Sequence, residues 1–441
     1  MISKYFHFDE LGTNIKVEIV AGFTTFMAMA YIMFVQPAVL QVAGMDFDAV
    51  FVATCLSSFI ATLIMGVYAN YPIALAPGMG ENFFFVYTVV LTMGLSWQAA
   101  LGAVLISGVV FVILTFLRIR EMIINAIPES LKYGIAAGIG LFIAFIGLVQ
   151  AGIIIKSPGG IVSLGNLHSS PVILAIIGVL VIAILLSLRI KGAILIGMVV
   201  TAILGLPMGI IKYQGIASLP PSISPTFFKL DLVNTFKLGG ITVIAIFLFM
   251  DMFDTIGTLV GVGTASGLMK DGKLPRANKA LLADATGTIF GAVLGTSTVT
   301  SYIESTTGVS SGGRTGFASV ITGLLFLVSL FFIPLVRMIG GGVEVTQNVF
   351  LYPVTAPALI IVGSMMLKSI VRINWKEPSE YIPAFLTLIG MPLTYSIADG
   401  LAFGFVSYPI LKLASGKGKQ VNWLCYLLAI LFIMRYIFLP H

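Results

Sequence analysis

The stretch Gly295–Gly313, GTSTVTSYIESTTGVSSGG, decides how this chain folds. Ten of the sixteen residues Thr296–Ser311 are Ser or Thr, and Glu304 is the one acid among them. β-Branched residues favour extended backbone, and the glycines near the end weaken a helix. The pattern predicts a broken membrane span, extended at first and helical from about Glu304. Backbone groups at that depth would face a cavity or a ligand, and the acid marks a functional site. A polar loop is the alternative.

The composition is that of a membrane protein. Of the 441 residues, 58% are hydrophobic and 10% are charged, whereas about a quarter of an average soluble domain is charged. Apolar stretches of about 20 residues recur along the chain, which predicts an all-α polytopic fold. The first 16 residues lack an apolar run with a cleavage site, so we expect no signal peptide.

Net charge and metal-binding residue types exclude several classes of function. The net charge of +6 fits basic loops that face an anionic cytoplasmic leaflet and requires no nucleic-acid partner. Two cysteines, Cys55 and Cys425, are too few for a disulfide framework. With only three histidines and no Cys–His cluster, we expect no bound metal and no cofactor.

The apolar stretches predict about fourteen membrane segments. A further apolar stretch at 422–439 is either an extra span or an interfacial helix. The predicted segments are 17–40, 47–69, 72–93, 97–117, 130–153, 171–188, 192–210, 239–262, 279–296, 297–310, 315–338, 350–371, 380–394 and 396–413.

The segments form two similar halves of seven, residues 1–212 and 239–441, joined by a connector at 213–238. The third segment of each half is broken. In the first half it is Tyr71–Phe85, YPIALAPGMGENFFF, where two prolines and two glycines allow a helix only from about Asn82. An odd number of segments inverts the second half relative to the first. Inverted repeats with paired broken helices are a recurrent plan of transporters.

Loop charges predict a cytoplasmic N-terminus, because the basic residues then gather in inside loops. Lys212, Lys229, Lys237 and Arg337 run against this pattern. The inside residues are Arg118, Arg120, Arg189, Lys191, Lys270, Lys273, Arg276, Lys279, Arg314, Arg372 and Lys376.

Two acids lie in the apolar eighth segment, within FLFMDMFDTIGTLVGVG at 247–263. Asp251, Asp254, Thr255 and Thr258 follow the spacing i, i+3, i+4 and i+7, so they share one helical face. Two carboxyl groups one turn apart are costly there unless they face a polar cavity or hold a proton. The alternative is a structural pair that binds neighbouring backbone.

Other polar residues leave more than one interpretation open. Asn82 is either a ligand for a heterocycle with mixed edges or an N-cap. Glu81 lies at a helix start or points into a vestibule. Asp284 and Asp399 are close to predicted span ends, which favours structural roles for both.

The missing motifs restrict the mode of transport. No cluster of cations lies at mid-span, and no GxxxxGK[ST] phosphate loop is present, so transport must be secondary. The mid-span acids favour a neutral or protonatable substrate and a coupling cation. Carboxylates accept strongly from the N–H donors of amide-rich heterocycles.

Four segments resemble the signature regions of the AzgA-like purine permeases, a branch of the nucleobase–cation symporter superfamily. They are NIKVEIVAGFTTFMAMAYI at 14–32, APGMGENFFF at 76–85, FMDMFDTIGTLVGVG at 249–263 and TSYIESTTGVSSGGRTG at 300–316. The resemblance implies fourteen spans, with a core domain at about 14–117 and 239–338 and a gate domain at about 120–212 and 345–441. It also implies proton-driven uptake of adenine, guanine or hypoxanthine across the plasma membrane.

The resemblance places Asn82, Asp251 and Glu304 at the substrate, with Asp254 a neighbouring essential acid. We expect Thr255, Thr300 and Gly80 to support binding or coupling. Members of the branch often carry an apolar residue where this chain has Glu81.

The sequence leaves other functions open. The alternatives are transport of uracil or xanthine, an anion exchanger of the sulfate or bicarbonate type, and a receptor that binds purine without moving it. The expected partners are a purine, a proton or sodium ion, and the lipid bilayer. A homodimer is possible, and an enzymatic activity is not expected.

Overall fold

The computed structural model describes residues 2–117, 127–157, 159, 161–236, 240–269, 274–346 and 349–438. Within these ranges, eight helices are long and apolar enough to cross a membrane. The chain is therefore a mostly helical, multi-pass membrane protein, as its composition predicts. Several basic residues used to predict the orientation lie outside the described residues, namely Arg118, Arg120, Lys237, Lys270 and Lys273.

The N-terminal part of the chain contains long helices and one extended segment between them. Two π-helical stretches, Met65–Ala69 and Phe84–Thr92, continue the helices that precede them. The elements are α1 (Ile2–Tyr5), α2 (Ile15–Met29), α3 (Ile32–Gln41), α4 (Phe47–Ile64), β1 (Leu75–Pro77), α5 (Met79–Phe83), α6 (Trp97–Leu117), α7 (Glu129–Gln150), β2 (Ile154–Lys156), β3 (Val162–Leu164), α8 (Ser170–Ser187) and α9 (Ala193–Gly205).

The C-terminal part also contains long helices, and a short strand, β4, lies between two of its helices. Two 3-10 turns, Leu330–Phe332 and Leu367–Arg372, follow α14 and α16, and a third, Gly418–Gln420, precedes α19. The elements are α10 (Leu232–Thr235), α11 (Gly240–Ala265), α12 (Ala277–Leu294), β4 (Val299–Ser301), α13 (Ser305–Ser310), α14 (Gly316–Ser329), α15 (Ile333–Gly340), β5 (Val343–Thr346), β6 (Val349–Leu351), α16 (Ala356–Met366), α17 (Pro378–Thr394), α18 (Ile397–Ala414) and α19 (Trp423–Phe438).

The helices pack in two groups. In the first group, α6 packs against α11 and α12, and α14 packs against α2 and α4. In the second group, α7 packs against α16 and α17, while α8 packs against α9 and α16. Each group combines helices from the N-terminal and C-terminal parts of the chain.

Glycine lets helices of the second group approach closely. A Cβ atom on Gly140 of α7 would lie 2.8 Å from the carbonyl oxygen of Gly363 and 2.6 Å from Cβ of Met366, both on α16. Neither Gly140 nor Gly363 could be replaced by a larger residue without movement of the opposite backbone. Such small-residue contacts are a usual way for membrane helices to pack.

Within the described ranges, three two-stranded antiparallel sheets interrupt the helices. The strands β1 and β4 pair with each other, although they are far apart in the sequence. The hairpins β2–β3 and β5–β6 were not expected from the apolar pattern, because they are short and lie at the ends of predicted spans. The extended stretches expected in the third and tenth segments correspond to β1 and β4.

Two element boundaries differ from the sequence-based expectation. The helix expected from about Asn82 begins at Met79, because Gly78 takes the extended N-cap position directly after Pro77. The first predicted segment is divided between α2 and α3 at Ala30 and Tyr31. The C-terminal apolar stretch is helical and packs against α18.

Glu18 joins the first long helix to the start of α14. Its side chain is fully buried. Its Oε1 accepts a hydrogen bond from the Thr13 hydroxyl at 2.9 Å and from the Arg314 N–H at 2.8 Å. Its Oε2 accepts from the N–H groups of Ala318 and Thr315 at 3.2 and 3.4 Å. The carboxylate therefore satisfies the backbone N–H groups of Arg314 and Thr315, which precede the first turn of α14 and have no acceptor within that helix.

We expect Glu18→Ala to lower the melting temperature of the purified protein by several degrees. The change leaves the N–H groups of Arg314 and Thr315 without an acceptor among the described residues, and each such group costs about 1–3 kcal/mol. Glu10→Ala is the matched control, because the side chain of Glu10 is 74% exposed. Equal melting temperatures for the two variants would show that Glu18 does not hold these elements together.

Candidate functional site

Two extended segments meet inside the helical body and form the centre of the site. The register of β1 and β4 places Ala76 opposite Thr300. The pairing continues beyond the strands, where the Gly78 N–H donates to the carbonyl oxygen of Thr298 at 2.9 Å. The extended backbones therefore bind each other. This pairing corrects the expectation from the sequence that their backbone groups face a cavity or a ligand.

Two carboxyl groups face each other beside β4. Asp251 on α11 and Asp284 on α12 are both buried and lie close enough for their charges to interact. The Thr288 hydroxyl donates to Asp251 Oδ2 at 2.8 Å, and the Ser301 hydroxyl donates to Asp284 Oδ1 at 2.9 Å. The other oxygens, Asp251 Oδ1 and Asp284 Oδ2, receive no hydrogen bond from a donor group of the described residues. Two adjacent carboxylates repel each other, so the pair is unfavourable while both groups are charged.

A third carboxyl group lies at the start of α5. Glu81 is 1% exposed, and its Oε2 has no hydrogen-bond partner within the described part of the chain. The side chain lies against Gly78, where a Cβ atom would collide with Oε2. Of the two alternatives for Glu81, the position at a helix start agrees with the structure, and the position in an open vestibule does not.

Two further acids lie on a more accessible side of the site. Glu304 immediately precedes α13 and is partly exposed, and the Tyr31 hydroxyl donates to its Oε1 at 2.8 Å. Asp254, one turn along α11 from Asp251, is exposed and lies close enough to Glu304 for their charges to interact. The site therefore has a buried acidic side and an open acidic side.

The three expected supporting residues lie around the strand pair. The hydroxyls of Thr255 and Thr300 are 2.8 Å apart and link α11 to β4. A Cβ atom on Gly80 would lie 3.1 Å from Ile139 on α7 and 3.4 Å from Met250 on α11. Gly80 is thus the point where α5 approaches the second group of helices, and a larger residue there would press on Ile139.

Asn82 is buried near the centre of the site and does not cap a helix. The N-cap of α5 is Gly78, and the Asn82 N–H donates to the Gly78 carbonyl oxygen at 3.0 Å within the first turn. The side-chain oxygen of Asn82 accepts a hydrogen bond from the Ser297 hydroxyl. Its amide nitrogen has no partner among the residues that the structure describes. The N-cap interpretation of Asn82 is therefore wrong.

The sequence favours a structural role for Asp284, because this residue lies near a predicted span end. The structure places it in the second turn of α12 and against Asp251. The available signal was its spacing from Thr288, since residues i and i+4 share one helical face. Asp399, the other acid set aside, binds the Tyr436 hydroxyl at 2.7 Å.

The site offers hydrogen-bond acceptors in excess of donors. Among the described residues, no group of three His, Cys, Asp or Glu side chains is arranged to hold a metal ion. The ion pairs found in the same ranges lie elsewhere, for example between Lys412 and Glu380 at 2.6 Å. A neutral ligand that carries N–H groups is the kind of molecule that such a site binds.

A multi-pass helical fold around a buried, acceptor-rich centre is the architecture of a membrane transporter. Residues 16–403 match the model of the Permease family (Xan_ur_permease), and the chain belongs to this family. Its members are transporters and not enzymes.

Full-length relatives confirm the resemblance to the AzgA-like branch. The chain is 50% identical to the guanine/hypoxanthine permease PbuG of Bacillus subtilis, with 99% of each chain covered. It is 44% identical to the adenine permease AdeP of Escherichia coli, over 100% of this chain and 96% of the relative.

Solved structures share the fold at low sequence identity. The transmembrane domain of the cyanobacterial bicarbonate transporter BicA has a TM-score of 0.64 at 15% identity, and the match covers 89% of this chain and 97% of that chain. SLC26A9 has a TM-score of 0.60 at 14% identity, with 93% of this chain and 68% of that chain covered. These likenesses concern the fold alone.

We expect Thr288→Val to destabilise the site more than Thr286→Val does. The hydroxyl of Thr288 serves both Asp251 and β4, where it accepts from the Val299 N–H at 3.3 Å. The hydroxyl of Thr286 makes only a local bond to the Leu282 carbonyl oxygen at 2.6 Å. Loss of the Thr288 hydroxyl leaves buried polar atoms unpaired, at a cost of about 1–3 kcal/mol.

Melting temperatures of the two variants in detergent measure this difference. Both changes keep a β-branched side chain on α12, so shape is matched. A Thr288→Val protein as stable as Thr286→Val would show that the hydroxyl does not link the acids to β4.

Proposed function

We propose that this permease is a secondary transporter that imports purine nucleobases, namely adenine, guanine or hypoxanthine, together with a proton. The observation that carries the proposal is a group of buried atoms that have no hydrogen-bond partner among the described residues: oxygens of Asp251, Asp284 and Glu81 and the amide nitrogen of Asn82. Purines present N–H donors and ring-nitrogen acceptors, which complement these acceptors and this donor. The purine specificities printed for the relatives PbuG and AdeP support the same substrate class.

The proposed binding site lies between the two groups of helices. Asp251, Glu304 and Asn82 contact the base, while Asp254, Thr255, Thr300 and Gly80 support binding or coupling. The first group of helices is the core domain and the second is the gate domain. The approach of Gly80 to Ile139, 3.1 Å from the position of a Cβ atom on Gly80, supports a site between these domains. Movement of the core against the gate then alternates access to the site.

The proposed topology has fourteen spans, of which the third and the tenth are broken at β1 and β4. The two halves, 1–212 and 239–441, form an inverted repeat. The pairing of β1 with β4 supports this arrangement, because it brings corresponding segments of the two halves together. The shorter apolar helices, such as Ala193–Gly205, complete the spans beyond the eight long ones.

The carboxyl groups provide a place for the coupled proton. Asp251 and Asp284 face each other in a buried position, and Asp254 and Glu304 lie on the open side. Burial favours the neutral form of a carboxyl group, so binding of a proton and binding of a purine donor both relieve the same unfavourable charges. Because the four acids interact, the proton belongs to the set rather than to one residue.

Transport of an anion is a weaker proposal for this site. The fold is shared with the bicarbonate transporter BicA, but the unpaired oxygens of Asp251, Asp284 and Glu81 would repel an anion. A uracil or xanthine permease would use the same groups, and competition between substrates separates these alternatives.

We expect the wild-type protein in proteoliposomes to accumulate labelled hypoxanthine when the outside is more acidic. Unlabelled adenine or guanine should compete, and sulfate should not. Competition by uracil or xanthine alone would favour the other nucleobases, and sulfate uptake without purine uptake would contradict the proposal.

In the same preparation, we expect Glu304→Gln to bind purine about tenfold to hundredfold more weakly and to lose proton-driven accumulation. The change removes a charged hydrogen bond, worth roughly 1.5–3 kcal/mol, and a titratable group. Asp251→Asn should behave similarly, whereas Glu10→Gln, at an exposed position, should match the wild type. Wild-type affinity and accumulation in Glu304→Gln would remove this residue from the site.

The proposed location is the plasma membrane, with a cytoplasmic N-terminus. Arg337, one of the residues that ran against the charge pattern, forms an ion pair with Asp48, which reduces its weight as a topology signal. The basic turn at Arg189 and Lys191 is then cytoplasmic, and the connector 213–238 is outside.

We expect an impermeant thiol reagent to label Ser222→Cys in intact cells and to label Arg189→Cys only after the cells are permeabilised. The native cysteines Cys55 and Cys425 are buried, so they provide a low background. The reverse labelling pattern would invert the proposed orientation.

A further inference from the structure

A buried glutamine connects the first apolar stretch to the centre of the site. Gln36 lies in α3, directly before Pro37, and is fully buried. Its amide nitrogen donates to the Thr296 hydroxyl at 2.8 Å and to the Ser297 hydroxyl at 3.0 Å. An amide in an apolar helix is costly without such partners, so these bonds fix the position of the side chain.

The same hydroxyl of Ser297 continues the connection to Asn82. Ser297 accepts from Gln36 and donates to the side-chain oxygen of Asn82. All three residues are fully buried. Because the oxygen end of the Asn82 amide is occupied, the nitrogen end is the one left without a partner among the described residues.

We infer that Gln36 and Ser297 are positioning residues that set the direction of the Asn82 amide. The two ends of a carboxamide are similar in size, but one donates and the other accepts. A fixed donor on the oxygen end turns the nitrogen toward the ligand. The purine atom that faces Asn82 is therefore an acceptor, a ring nitrogen or a carbonyl oxygen. This inference rests on the proposed function, in which Asn82 contacts the base.

The arrangement makes a prediction about ligand selectivity. A site built to hydrogen-bond one atom of a ligand rejects an analogue that lacks this atom, because a buried polar group is then left unpaired. A deazapurine replaces one ring nitrogen by carbon and so removes one acceptor. If the Asn82 amide is free to turn or move, this rejection weakens.

A purely structural role for Gln36 predicts something different. In that case Gln36 only anchors α3 to the segment before β4, and its bond to Thr296 serves as well as its bond to Ser297. Thr296→Val and Ser297→Ala each remove one acceptor of the Gln36 amide nitrogen. Only Ser297→Ala also cuts the link to Asn82, so the two variants form a matched pair.

The test is equilibrium binding to the purified full-length protein of hypoxanthine and adenine, each with its 7-deaza and 3-deaza counterparts. We expect the wild type to bind at least one deaza counterpart about tenfold more weakly than the parent base. Ser297→Ala should bind the parent base more weakly and lose most of this discrimination. Gln36→Met should do the same, and Thr296→Val should keep the wild-type discrimination.

Three outcomes would overturn this inference and leave the proposed function intact. The wild type could bind purines without discriminating against any deaza counterpart, or Ser297→Ala could keep the wild-type discrimination. The third outcome is that Thr296→Val loses as much discrimination as Ser297→Ala. If Gln36→Met does not fold, the pair Ser297→Ala and Thr296→Val decides the question. A wild-type protein that binds none of these purines overturns the proposed function, and with it this inference.

Discussion

The structure depends on the backbone hydrogen bonds between two extended segments, β1 and β4. The peptide groups of these segments cannot be paired within a helix. A buried peptide group without a partner is costly, so extended backbone inside a helical body needs a second strand. Each segment supplies that strand to the other, and the pairing extends to the Tyr302 N–H, which donates to the Ala74 carbonyl oxygen at 2.9 Å. Pro77 has no N–H to pair, and its carbonyl oxygen accepts from the Tyr302 hydroxyl at 2.5 Å. The strand pair thereby fixes where α5 and α13 begin.

The high content of Ser and Thr around β4 follows from the acids beside it. A hydroxyl can donate to a carboxyl group while it accepts from the backbone, and Thr288 does both, for Asp251 and for the Val299 N–H. The Ser301 hydroxyl likewise donates to Asp284. Aliphatic residues at these positions would leave the carboxyl groups without donors, and basic residues would neutralise them permanently. Hydroxyls orient the acids and leave one oxygen of each available to a ligand or a proton.

Much of this arrangement could be predicted from the sequence, because its signals are local. The β-branched residues before Glu304 predicted extended backbone, and the spacing of Asp251 and Asp254 predicted that they share one helical face. The pairing partner of β4 could not be derived this way, since strand pairing between distant segments leaves no local pattern. For the same reason Asp284 was undervalued: its partner lies on another helix. The resemblance to a family supplied site residues, whereas the Gln36 and Ser297 contacts appear only in three dimensions.

The strand pair also makes the two parts of the chain depend on each other. In an apolar interior, β1 alone would leave its peptide groups unpaired, and so would β4. Neither extended segment is therefore stable without the other, and the polar atoms of Asn82, on one side, and Asp251, on the other, reach one centre only through that pairing. A ligand bound at the proposed site would touch residues from both parts at once. The binding free energy of such a ligand would then act directly on the pairing of β1 with β4, which holds the two parts of the chain in register. A ligand can influence the relative position of the helices around it only through such a contact.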